Sequence, residues 1–132
     1  MRVVRGNELV FEAASHEDPS DPGVLKKVLA NNADLNPGRM QMLNWSVLKV
    51  GNSFQRHYHE DMQEVFVMIV GQARMHIEEA DRPGLKVDLL AGDVILIEPR
   101  EIHSMENTGD EDVTYLVFGL SSEMDGQTVV VD

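Results

Sequence analysis

No cysteine occurs in this chain, so disulfides and thiolate metal ligands are both excluded. Basic residues are scarce. Against 23 Asp and Glu stand 11 Lys and Arg, and the formal charge of −12 repels phosphate backbones and anionic lipid. Nucleic acid and membrane surfaces are therefore expected non-partners. Long apolar runs are missing as well: the opening MRVVRGNELVFEAAS is too broken for a signal peptide, and nowhere does a run approach the roughly 18 residues of a membrane span. The expectation is a cytoplasmic protein. No internal repeat is visible, and 132 residues make one domain, large enough to bury a core without staples.

What the chain does have is concentrated between Gly51 and Gly71, GNSFQRHYHEDMQEVFVMIVG. His57 and His59 are two apart, which places them on one face of a strand, about 6.6 Å along it, where two imidazoles can converge on one ion. Glu64 follows His59 at an odd offset that a straight strand would send to the other face. The polar run Glu60-Asp61-Met62-Gln63 can turn the chain between them. Two antiparallel strands then offer two nitrogens and a carboxylate to one cavity, a donor set suited to transition metals that prefer imidazole.

Written as spacing, the stretch is Gly-x5-His-x-His-x4-Glu-x6-Gly, and it resembles the first signature of the cupin family. The second signature, Gly-x5-Pro-x-Gly-x2-His-x3-Asn, is similar to GDVILIEPREIHSMEN from Gly92 to Asn107. Gly92, His103 and Asn107 keep register there. Pro99 comes one place late, behind Glu98, and Arg100 stands where the second glycine belongs. The resemblance implies an all-β, single-domain jelly-roll barrel, with 1–39 as strands and loops packing on it, 40–120 as the barrel and 121–132 as a tail. It also implies His57, His59, Glu64 and His103 as ligands of a divalent transition metal, with Fe, Mn, Ni, Zn, Co and Cu all open.

Along the chain, Val3-Val4 and Leu9-Val10-Phe11 read as short edge strands, and Ala13 to Gly23, AASHEDPSDPG, as an exposed loop with His16 solvated. Val24 to Ala30 is open between strand and helix, and the family likeness favours strand. Asn36-Pro37-Gly38 marks a turn. Met40 to Val50 and Val65 to Val70 are strands apolar on both faces, so both faces require cover. One cover is the core, and a second subunit is the expected other, giving a homodimer. Ala73, Met75 and Ile77 alternate with Arg74, His76 and Glu78, a strand with one wet face that turns His76 to water. Asp81-Arg82-Pro83-Gly84 reads as a β-turn, and Val113 to Leu120 as the closing strand.

Parity places Gln55 beside His57 and His59, Phe66 and Met68 beyond Glu64, and Met105 beyond His103, as candidate pocket lining. Among Arg39, Arg56, Arg74 and Arg100, none is assigned to the site, and Arg56 and Arg74 are expected to face outward. A first-row ion held by four protein ligands keeps one or two positions for water, dioxygen or a small substrate. Glu64, the anionic ligand, is the candidate catalytic residue, since it could leave the metal to accept a proton. The family likeness implies a metalloenzyme of dioxygenase, decarboxylase, lyase or isomerase type acting on a small polar molecule. A non-catalytic module that binds a metabolite or metal is the alternative.

Overall fold

The computed structural model describes residues 2, 4–34, 40–79, 82–121 and 127–132. Eleven strands and one short 3-10 turn at Gly6–Glu8 make up its regular structure, with no α-helix among the described residues. In chain order the strands are β1 (Glu12–Ala13), β2 (Val24–Asn31), β3 (Met40–Leu48), β4 (His57–His59), β5 (Gln63–Val70), β6 (Gln72–Glu79), β7 (Arg82–Leu90), β8 (Val94–Ile97), β9 (Ile102–Asn107), β10 (Val113–Leu120) and β11 (Thr128–Val130).

They form two antiparallel sheets, β1-β2-β3-β10-β5-β8 and β11-β4-β9-β6-β7, folded on one another as a jelly-roll β-barrel. Alternation along each strand decides what lies between the sheets. In β3, Asn44, Ser46 and Leu48 are buried while Leu43, Trp45 and Val47 are half-exposed, and in β10 Val113, Tyr115 and Val117 are buried in the same rhythm. Leu48, Met68, Met75, Ile97, Met105, Val24 and Val113 are the most completely buried apolar side chains and mark the core.

Several expectations change at the chain's edges. Val4, Leu9, Val10 and Phe11 form no strand, the 3-10 turn standing between the two runs, and Val3 lies outside the described residues. The segment Val24–Asn31 is a strand, paired with β3 along its length. Pro83 and Gly84, expected in a turn, lie inside β7, because Arg82 already pairs with Glu79; Asp81 of the expected turn lies outside the described residues. Asn36-Pro37-Gly38 and Arg39 also lie outside it. Arg100 takes φ 69°, so the left-handed turn that the glycine would provide is kept by a non-glycine residue, whose N–H donates to His59 O at 2.8 Å.

Candidate metal centre

β4 is three residues long, and its alternation sends His57 and His59 inward while Tyr58 is only half-buried. His103 on β9 is the cross-strand partner of His57, so the two rings meet across one rung, with centroids 4.4 Å apart. Glu64 arrives from the other sheet. Its neighbours in register are Gly119 on β10 and Ile97 on β8, and the chain reverses at Glu60–Met62 to bring it round. One ligand atom from each of His57, His59, Glu64 and His103 lies within 4.8 Å of the others, and all four residues are buried. Metal–ligand distances of about 2.0–2.2 Å are reached from there by small side-chain adjustments.

The hydrogen bonds around the rings assign which nitrogen faces inward. His57 Nδ1 donates to Gln55 O at 2.7 Å and His103 Nδ1 to Glu101 O at 3.0 Å, while His59 Nδ1 is 2.8 Å from Thr128 Oγ1. With Nδ1 engaged outward, Nε2 is left for the centre. There His103 Nε2 and His59 Nε2 stand 2.9 and 2.7 Å from the same Glu64 Oε1. His103 already spends its Nδ1 proton on a carbonyl, so its Nε2 can approach a carboxylate only through a second proton or a shared cation. His59 Nε2 is off the direction of a hydrogen bond and has no hydrogen-bond partner. Buried nitrogen lone pairs facing a buried carboxylate fit a divalent cation.

Burial alone would raise the Glu64 carboxyl, but the adjoining His103 and His59 more than offset it and hold Glu64 well below the ordinary carboxylate range. Burial pushes the His57 imidazole down to about 3, keeping it neutral as a ligand requires.

Beside the four residues lies a cavity of about 90 Å³, room for a few water molecules or a ligand of a few heavy atoms. Phe66 lines it; the other pocket candidates do not. Met68 and Met105 are in the core, because parity fixes a face but not a depth, and Met68 is about 13 Å along β5 from Glu64. Gln55 is exposed: it precedes β4, where strand alternation does not yet apply, and its backbone carbonyl holds His57 instead. Phe54 and Met62 occupy cavity positions in their stead. Gly119 makes room for Met62, since a Cβ there would meet the Met62 Sδ at 2.2 Å. Arg56 and Arg74 do point outward, paired with Glu78 and Asp88. His76 is half-buried, 3.4 Å from Glu106, rather than free in water.

His16 is the largest departure from expectation. It is not solvated: its ring stacks on His57 with centroids 4.0 Å apart and planes at 18°, and it lines the cavity. Buried Glu17 draws the loop in, taking Gly23 N–H at 2.8 Å on one oxygen and Gln55 N–H at 3.1 Å on the other. Those partners are 6 and 38 residues away, so nothing in the polar local sequence announces the tether. Lys26 and Thr128, both lining the cavity, were equally unforeseen.

Comparison with known proteins places these features in a family. The family model described as a Cupin domain matches residues 44–119, more than half of the chain. A protein of Thermotoga maritima named oxalate-binding protein is 30% identical over 115 residues, covering 86% of this chain and 89% of its own length. A Thermotoga maritima crystal structure described as a predicted oxalate decarboxylase superposes with a TM-score of 0.77 at 27% identity, over 91% of this chain and 99% of that one. The oxalate decarboxylase of Bacillus subtilis, described with Mn(II) centres, superposes with a TM-score of 0.70 at 22% identity, over 87% of this chain and 30% of that one; this likeness extends to the fold alone.

Proposed function

This chain belongs to the cupin family, and on that premise we propose that it is a metal-dependent enzyme of decarboxylase or lyase type acting on a small carboxylate of oxalate size. The observation that carries the reading is the buried set His57, His59, Glu64 and His103, with the Nδ1 atom of each histidine engaged outward, beside a small cavity of about 90 Å³. The names of the Thermotoga maritima relatives support the ligand class.

A divalent ion held by these four residues supplies charge neutralisation and polarisation of a carboxylate oxygen. The chain's own residues do the rest. Thr128 and the Gln55 and Glu101 carbonyls fix the imidazoles in the tautomer that presents Nε2. Phe54, Phe66 and Met62 exclude water from the ligand's flanks, which strengthens each polar contact inside. Glu64, the one carboxylate lining the cavity among the described residues, would serve as proton acceptor.

Metal analysis of the purified protein is expected to find near one ion per chain, and incubation with oxalate to release carbon dioxide and formate. Tight oxalate binding without turnover would replace the enzyme with a binding module, the reading favoured by the name of the 30% identical relative. Absence of metal would defeat both.

We also propose a homodimer. On the outer face of the larger sheet, Trp45, Leu116, Val67 and Val94 lie side by side in register, with Val94 55% exposed. Light scattering that finds a monomer at all micromolar concentrations would refute it.

A further inference from the structure

The cavity contains polar groups that the metal centre does not use. His16 Nε2 is buried without a hydrogen-bond partner, 3.9 Å from the Glu17 carboxylate that anchors its loop. Asn44 is 4% exposed, its Oδ1 has no partner, and its amide N–H2 reaches only the Met42 sulfur at 3.2 Å. A half-turn of that amide exchanges oxygen for N–H2, offering two donors to a ligand at the loss of one weak sulfur contact. Lys26 lies two residues beyond fully buried Val24 on β2, in register with buried Ser46, so alternation turns it inward. It is the one Lys or Arg lining the cavity and has no carboxylate partner among the described residues.

We propose that Lys26 and His16, with the Asn44 amide, form an anion-binding wall that holds the carboxylate of the ligand not engaged at the metal centre. The inference rests on the small-carboxylate reading above and makes it specific, because donors beyond the metal centre fit a ligand with a second carboxylate. Lys26 is the cation that lines the cavity, and the Nε2 of His16 and the Asn44 amide add polar groups without full partners beside it. Oxalate has a second carboxylate for these groups to hold, whereas formate has none. His16 contributes through its buried Nε2, which has no hydrogen-bond partner and belongs to a ring that lines the cavity.

Calorimetric titration of the Mn(II)-loaded protein with oxalate and with formate tests this. Lys26→Met keeps the chain length of the side chain and His16→Phe keeps the stacked ring. Each is expected to weaken oxalate binding about tenfold or more, as for loss of one charge-assisted or buried hydrogen bond. Formate affinity should stay within about twofold and metal content should not change, while Lys26→Arg should retain oxalate binding. Undiminished oxalate affinity in both Lys26→Met and His16→Phe overturns this inference alone. Loss of metal in either variant also overturns it, since that residue then serves the ion. Failure of the loaded wild type to bind oxalate overturns the small-carboxylate reading and this inference together.

Discussion

The two sheets contribute opposite things to the centre and show opposite faces to water. The five-stranded sheet supplies every imidazole, His57 and His59 from β4 and His103 from β9, with Thr128 behind them from β11; its outer surface carries Arg74, His76, Asp88 and Glu106 in ion pairs. The six-stranded sheet supplies the carboxylate of Glu64 and lines the cavity with Lys26 and Asn44, and its outer surface carries the apolar row Trp45, Leu116, Val67 and Val94. A site divided in this way is complete only when the sheets are packed together. An ion held by these four residues would join two layers that otherwise meet through apolar side chains, and its binding would report on their packing.

The largest effect should come from removing one side of the bridge. His103→Ala or His57→Ala is expected to abolish stoichiometric metal binding by elemental analysis, a loss greater than the about 10–100-fold caused by changing an outer partner. Full retention in both would mean that the five-stranded sheet is not the metal-holding side.

Removing the ion itself tests whether the sheets need it. The chelated protein is expected to keep its β circular-dichroism signal, because the core from Val24 to Val113 is independent of the ligands, while its melting temperature falls. Metal at a thousand times its Kd contributes about 4 kcal/mol by mass action. Acid should then act on the chelated form with a definite sign. His16 and His57 titrate near 4 and 3 in the fold against about 6.5 unfolded, so the unfolded chain binds more protons between those values. Stability should fall as pH drops from about 6.5 towards 4 and below, and His16→Phe should flatten part of that slope in thermal melts across pH.

A smaller effect is expected at Thr128, which touches His59 but not the ion. Thr128→Val should weaken metal affinity about 10–100-fold and Thr128→Ser should restore it. An unchanged Kd in the valine variant would show that β11 merely covers β4. Smallest of all, Arg74→Ala on the wet face breaks exposed pairs with Asp88 and Glu106 and should cost at most about 1 kcal/mol in denaturant titration, with metal binding untouched.

Most of the centre was legible in the sequence because its residues are held by local periodicity. Two-residue spacing puts His57 and His59 on one face of β4, and the odd offset to Glu64 requires the reversal that the structure contains. The alternation of β3, β5 and β10 is equally local, and so the barrel was foreseeable. Even the misfit in the second motif resolved locally, with Arg100 adopting the backbone shape of the missing glycine. Local periodicity does not measure depth, which is why Met68 and Met105, on the expected face, fell below the cavity into the core.

What the sequence determined by itself, then, is most of the strands, their inward faces and the convergence of His57, His59 and Glu64, consequences of a repeat of two and of turns a few residues long, while His103 follows from the resemblance of the second motif. Only the tertiary structure decided that His16 stacks on His57, that Lys26 reaches the same cavity and that Thr128 backs His59. Each of those depends on contacts across tens of residues: Glu17 captured by Gln55 N–H, β2 registered on β3, and β11 closing on β4 from the far end of the chain. Long-range closure of this kind is set by how the sheets pack and by which buried polar groups must find partners, and no local pattern encodes it.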